Sequence, residues 1–170
     1  MRPLAFVLLV VTSLIYPSIS YAETPEAQEA LSIQGIATIE LKIGNKQYLK
    51  GLELALIPEA VVPKLKEIRN TRWLEEASRF NFGAGYYYLD LNSIGYFAVK
   101  NAITRSKTNA KGAYQFTNIP EGNYRIYGQY KSRYASGYWL IPVEITKESK
   151  TIRIDINNEN FEEIYNRDVR

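Results

Sequence analysis

The sequence predicts a mainly β protein, an antiparallel β-sandwich of about seven strands with a helical insertion. Three observations carry this. Short apolar–polar alternations recur across residues 33–57 and 102–156, and a period of two marks a half-buried strand. Turn signals rich in Gly, Asn and Pro separate them at intervals of roughly 8–12 residues, the spacing of a sandwich. Between about 58 and 100 the alternation stops and apolar residues recur at helical spacing.

The elements follow in order. Residues 23–32 are polar and Glu-rich and read as a flexible leader. Residues 33–43 alternate, with Ile39, Leu41 and Ile43 opposite Thr38, Glu40 and Lys42. Gly44-Asn45-Lys46 is a turn, and residues 48–57 resume with Leu52, Leu54 and Leu56 opposite Gly51, Glu53 and Ala55. Two alternating runs around a Gly-Asn turn predict a hairpin. Pro58 ends the second run. Over residues 63–79, Val61, Leu65 and Ile68 share one helical face and Trp73, Ala77 and Phe80 a displaced one. The offset at Asn70-Thr71, poor helix formers, predicts one amphipathic helix with a bend there. Residues 81–85 read as a loop, 86–89 show no period, and 94–99 fit either a strand or a short helix.

The remaining strands are predicted over residues 102–107, 113–117, 123–130, 138–145 and 151–156. A polar loop is expected at 131–137 and a tail at 161–170. Trp139, Ile141, Val143 and Ile145 align on one face of their strand, as do Ile152, Ile154 and Ile156 on the last.

The first 22 residues have the layout of a cleaved secretory signal. Met1-Arg2-Pro3 is a positive start. An apolar run extends over residues 4–15, and Ser20-Tyr21-Ala22 offers small residues where a signal peptidase reads. That run is too short for a membrane anchor, which needs about 20 residues. The mature chain is expected to begin at Glu23, to occupy a bacterial periplasm or the extracellular side, and to carry no membrane span. It has no cysteine, so its core must suffice without disulfides. Charge is nearly balanced, 21 Lys and Arg against 18 Asp and Glu, which gives little electrostatic reason to expect nucleic acid.

The stretch from Thr108 to Tyr124 resembles the central signature of carboxypeptidase regulatory-like domains, part of the wider transthyretin-like and adhesin B-repeat group of Ig-like sandwiches. A turn ends in Gly112, Tyr114 and Phe116 follow at alternate positions, and Pro120, Gly122 and Tyr124 complete the pattern. Two flanking stretches, residues 49–59 and 138–160, look like an uncharacterised exported bacterial subgroup. The resemblance implies a transthyretin-like sandwich over residues 33–160 and says little about function, since such sandwiches host unrelated roles. Physically, Gly112 suits a turn needing positive φ. Pro120 and Gly122 set a second corner. Tyr114, Phe116 and Tyr124 are expected to fill the gap between sheets, each ring contributing about 1.5–3 kcal/mol.

Composition narrows the chemistry. There is no histidine and no cysteine, which removes the commonest general base and the usual zinc ligands. No catalytic residue, cofactor or metal site is assigned. The transthyretin-like group includes histidine-dependent hydrolases of a purine-breakdown intermediate, and this chain lacks both the histidines and the C-terminal tetrapeptide that the activity implies. Glu75-Glu76 and Glu162-Glu163 are adjacent pairs that diverge in regular structure, leaving a carboxylate-dependent hydrolase as a remote alternative. The resemblance to B-repeat domains makes Lys42 with Asp155 or Asn157 the nearest candidates for an internal amide bond, although alternation turns Lys42 and Asp155 outward.

Binding chemistry is better supplied. There are 14 tyrosines, and rings with polar tips suit sugars and protein surfaces. Trp73, Tyr127, Arg133 and Tyr134 are the candidate partner surface. The expected function is a non-enzymatic envelope module that binds a protein or an envelope polymer. The alternative is a carbohydrate-binding module using exposed tyrosines.

Overall fold

The computed structural model describes residues 31–42, 44–77, 83–132 and 135–166, with side chains for all of these except 72–77, 83–90, 165 and 166. Ten strands make three sheets among these residues. The largest is a five-stranded antiparallel sheet. Its centre is the hairpin of β7 (Gly122–Lys131) and β8 (Ala135–Ile145), paired from Gly122↔Ile145 to Lys131↔Ser136. β10 (Phe161–Asn166) adds to β8, and β4 (Glu53–Pro58) and β5 (Thr104–Lys107) add beyond β7. Facing it is a three-stranded sheet of β6 (Ala113–Phe116), β1 (Ser32–Ile36) and β9 (Thr151–Arg153). β2 (Thr38–Glu40) and β3 (Lys46–Tyr48) form a small ribbon.

Two faces of the large sheet hold two cores. Tyr124 and Ile126 of β7, Leu54 and Leu56 of β4 and Trp139 of β8 pack against Ile33 and Phe116 between the sheets. The alternate residues, Ala55, Ile57, Tyr127, Tyr138 and Leu140, pack on the other face against Val62, Leu65, Leu91, Ile94 and Ala98. Those last residues belong to α1 (Val62–Ala77) and α2 (Gly83–Lys100), which pack on each other. The insertion is therefore a third layer, and β4 is buried on both faces because of it.

The expected signature residues act as expected. Gly112 sits at φ 71°, and Tyr114, Phe116 and Tyr124 are buried between the sheets. The Tyr124 hydroxyl donates back to the Pro120 carbonyl at 3.0 Å, fixing the corner before β7.

Several expectations change. The predicted long hairpin survives only in its outer part, Thr38↔Tyr48 to Glu40↔Lys46. Its two long runs part company, β1 going to the small sheet and β4 to the large one. Not every pairing is antiparallel, since β1 and β9 run parallel. The leader gives up Ser32 to β1. The polar loop at 131–137 shrinks because β8 begins at Ala135. Residues 83–85, read as a loop, open α2, and 94–99 are helical. α1 runs without interruption through Asn70 and Thr71. Ile156 is fully buried, whereas Ile152 and Ile154 are half-buried at the rim of the core.

The expected tail is instead an edge strand. Register slips between Phe161 and Glu163 against β8, a bulge that inserts one residue. Glu162 and Glu163 thereby both reach α1: Glu162 pairs with Lys66 at 2.9 Å, and the Glu163 carboxylate accepts from one edge of the Arg69 guanidinium, from Nε at 2.8 Å and from Nη2. The pair that should diverge in a regular strand is used as a clasp. Asp155 and Asn157 are likewise engaged, Asp155 accepting from the Ile36 amide at 3.0 Å and Asn157 from the Glu159 amide at 2.9 Å.

A second clasp ties the helical layer to β7. The Arg125 guanidinium donates to Glu59 through Nε at 2.6 Å and Nη2 at 2.9 Å. These hydrogen bonds hold the Glu59 carboxyl below its ordinary pKa, with partial burial opposing them. Because the folded pKa is the lower one, the stabilisation is present above the unfolded pKa and is lost as pH falls through the folded value. Glu59→Gln should therefore lose less stability than wild type on acidification, measured by urea unfolding at neutral and acid pH. Equal losses would show that the clasp carries no pH-dependent stability.

Candidate functional site

The helix-facing side of β7 carries Arg125, Tyr127, Gln129 and Lys131 in sequence, every second residue. Each meets the helical layer differently. Arg125 is clasped by Glu59. Tyr127 is only 3% exposed, with its ring 6.1 Å from that of Tyr138. Gln129 donates through Nε2 to the Leu91 carbonyl, and Lys131 donates through Nζ to Asn92 Oδ1. Partial burial lowers the Lys131 pKa from its ordinary value.

α2 presents two stripes to this surface. Leu91, Ile94 and Ala98 are fully buried on the sheet. The adjacent stripe, Asn92, Gly95, Tyr96 and Val99, has i, i+3, i+4 and i+7 spacing and lines an open cleft of about 730 Å³. The opposite wall comes from β4 and β5, where Ala55 stands beside Arg105 and Glu53 beside Lys107. Tyr127, Gln129 and Lys131 complete it. That volume lies within the usual range for small-molecule sites.

Why the cleft stays open follows from sequence. Gly95 lacks a side chain, and a Cβ there would meet the Gln129 amide at 2.8 Å. Val99 is 40% and Tyr96 71% exposed, so α2 rises off the sheet edge along this stripe. Lys107 and Glu53 pair loosely at 3.8 Å, both well exposed, which contributes little. The Arg105 side chain is exposed and makes no hydrogen bond or ion pair among the described residues. Among the described residues, three cations therefore line the cleft against one carboxylate, Glu53.

Of the residues expected to form a partner surface, Tyr127 is packed in the helix-side core at 3% exposure and also contributes to the lining of the cleft. Trp73 belongs to α1, but its side chain lies outside the described residues, as do Arg133 and Tyr134. The site residues missed were Tyr96, Arg105 and Lys107. Arg105 and Lys107 were visible as a basic stretch after α2, yet only the register of β5 on β4 shows that they share a face with Glu53 and Ala55. Among the described residues no three acidic side chains cluster as a metal site would require, and no helix is long and apolar enough to cross a membrane.

No protein-family model and no curated protein matches the chain. Solved structures do. A proposed carbohydrate-binding protein of Pseudomonas aeruginosa matches at 16% identity and a TM-score of 0.46, over 84% of this chain and 97% of that one. The major pilin subunit of Bacillus cereus matches at 16% identity and a TM-score of 0.41, over 75% of this chain and 29% of the pilin. The pilus backbone protein of Streptococcus pneumoniae matches at 10% identity and a TM-score of 0.36, over 76% of this chain and 41% of its own length. At these scores the likeness does not bear on what the present chain binds. What the structure itself establishes is a mainly β sandwich whose helical insertion forms one wall of a cation-lined cleft.

Proposed function

We propose that this chain is a non-enzymatic, exported envelope module that binds an envelope polymer in the cleft between α2 and the five-stranded sheet. The observation that carries the reading is the cleft's lining: an exposed tyrosine, two side-chain amides and three cations along two facing walls. Such a surface binds without transforming. Glycoside hydrolysis needs two carboxyl groups flanking the bond, and among the described residues Glu53 is the one carboxylate in the lining, exposed and beside Lys107. The sequence layout of residues 1–22 supports export.

The experiment uses the exported protein, whose N-terminus should be Glu23, immobilised and exposed to solubilised envelope polymer. Wild type should retain polymer, and Tyr96→Ala together with Val99→Asp, both at exposed positions of the α2 stripe, should release it. Retention that is indifferent to these substitutions would move the binding surface elsewhere. A failure of wild type to retain any polymer would overturn the reading.

A further inference from the structure

We propose that the cleft takes an acidic glycan, a chain of sugar rings carrying carboxylate groups, in which Arg105 and Lys107 meet the charge while Tyr96, Asn92 and Gln129 meet the ring. This rests on the polymer-binding reading above and narrows it to one chemical class.

The charge comes from β5. Arg105 and Lys107 are two residues apart on one strand face, about 6.5–7 Å along the strand. Both are exposed. Lys107 has only the loose contact with Glu53, and the Arg105 side chain has no polar partner among the described residues. A guanidinium is a planar fork that matches a carboxylate bidentately. Lys131 adds a third cation at the same cleft. A neutral ligand would leave this row unused, and an apolar one would have to desolvate it.

The ring chemistry comes from α2 and β7. Gln129 is fixed by the bond from its Nε2 to the Leu91 carbonyl. Asn92 is fixed by the bond from Lys131 to its Oδ1. Each amide is thus held at one end, leaving the Gln129 carbonyl oxygen as an acceptor and the Asn92 amide nitrogen as a donor. Hydroxyl groups both donate and accept, so a hydroxyl-rich ligand satisfies both where a simple anion satisfies one. Pre-positioned polar groups of this kind bind without a large ordering cost. Tyr96, 71% exposed on the same stripe, offers a flat ring face to a sugar and a hydroxyl to its edge. The near-balanced charge of the whole chain, 21 basic against 18 acidic side chains, provides no broad field for a polyphosphate chain. The cation row is local, as a local carboxylate requires.

The test is titration calorimetry on the exported protein with short oligogalacturonate and oligoalginate as acidic probes, cello-oligosaccharide as the neutral one and polyglutamate as the acidic peptide. At least one acidic oligosaccharide should bind, more weakly as salt rises. Arg105→Ala should lower that affinity about tenfold or more, the scale of a charge-assisted hydrogen bond, and Tyr96→Ala should lower it without changing the salt dependence. Thermal unfolding of both variants, altered at exposed positions, should match wild type. Equal binding of cello-oligosaccharide would overturn the acidic assignment while leaving polymer binding intact. Polyglutamate bound as tightly as the acidic sugars would make the occupant a peptide. Binding of neither acidic sugar, with envelope polymer still retained in the experiment above, would overturn this inference alone.

Discussion

Replacing Trp139 with alanine should cost about 3–5 kcal/mol of stability, the range for truncating a large buried aromatic. The indole is fully buried. It stacks on Phe161 with ring centroids 4.0 Å apart and planes 16° from parallel. Its Nε1 donates to the Asn157 carbonyl at 2.8 Å. Alanine leaves a cavity, a part-buried carbonyl without its donor and a Phe161 ring without its partner, and each adds to the loss. Trp139→Phe keeps most of the apolar volume and loses mainly the hydrogen bond, so it should cost a smaller amount, about 1–3 kcal/mol. The damage should also spread in a definite direction. Phe161 opens β10, and the next two residues of that strand hold α1 through Lys66 and Arg69. Amide exchange in β10 and α1 should therefore accelerate more than in β1. Urea unfolding that places the alanine variant within about 1 kcal/mol of wild type would mean that the indole does not organise this corner.

The residues that sequence reasoning placed well share a property: their environment is set by neighbours close in the chain. Gly112, Tyr114, Phe116, Pro120 and Tyr124 lie on one turn–strand–turn unit, and alternation alone puts both rings of β6 on the core side. The misreadings come from the helical layer. In β4 the alternation of Leu52, Leu54 and Leu56 suggested one buried face, but Ala55 and Ile57 are buried too, because α1 and α2 cover the other side. α2 was hidden by its own composition. Gly83, Gly85 and Gly95 are poor helix formers and Tyr86 to Tyr88 favour strands, yet Leu91, Ile94 and Ala98 have helical spacing and dock on the sheet, and tertiary burial outweighs the local preference. β10 escaped notice because its bulge breaks the alternation at Glu162. The cleft was the least legible feature. Its walls come from α2, β4, β5 and β7, segments that only the sheet order 10-8-7-4-5 brings together.

Gly35→Ala should be as damaging as the loss of a core aromatic, although it adds a single methyl. Gly35 lies in β1, flanked on one side by β6, where it stands opposite Tyr114, and on the other by the chain continuing from β9. A Cβ on Gly35 would stand 1.7 Å from the Ile154 carbonyl oxygen and 2.7 Å from its carbon. Both are backbone atoms, so no rotamer change relieves the clash. The Ile154 amide is held by the Gln34 carbonyl at 2.9 Å and the Ile156 amide by the Ile36 carbonyl at 2.9 Å, so the segment cannot retreat without breaking the pairing on either side of the clash. The same Ile154 oxygen accepts the buried Tyr114 hydroxyl at 2.6 Å. Burial raises the pKa of that phenol, so it stays a protonated donor across the ordinary pH range and would be stranded if the carbonyl moved. Overpacking costs about 1–3 kcal/mol and a stranded buried donor about 1–3 kcal/mol more, giving about 2–6 kcal/mol together. The two contributions can be separated. In a Tyr114→Phe background no hydroxyl is left to strand, so Gly35→Ala should cost less there than in wild type, and the difference is the coupling between the two sites. If urea unfolding gave the same large loss in both backgrounds, strain in the strand pairing alone would account for it. A loss below about 1 kcal/mol in the wild-type background would show that β1 and the chain after β9 are not packed as tightly as this register requires.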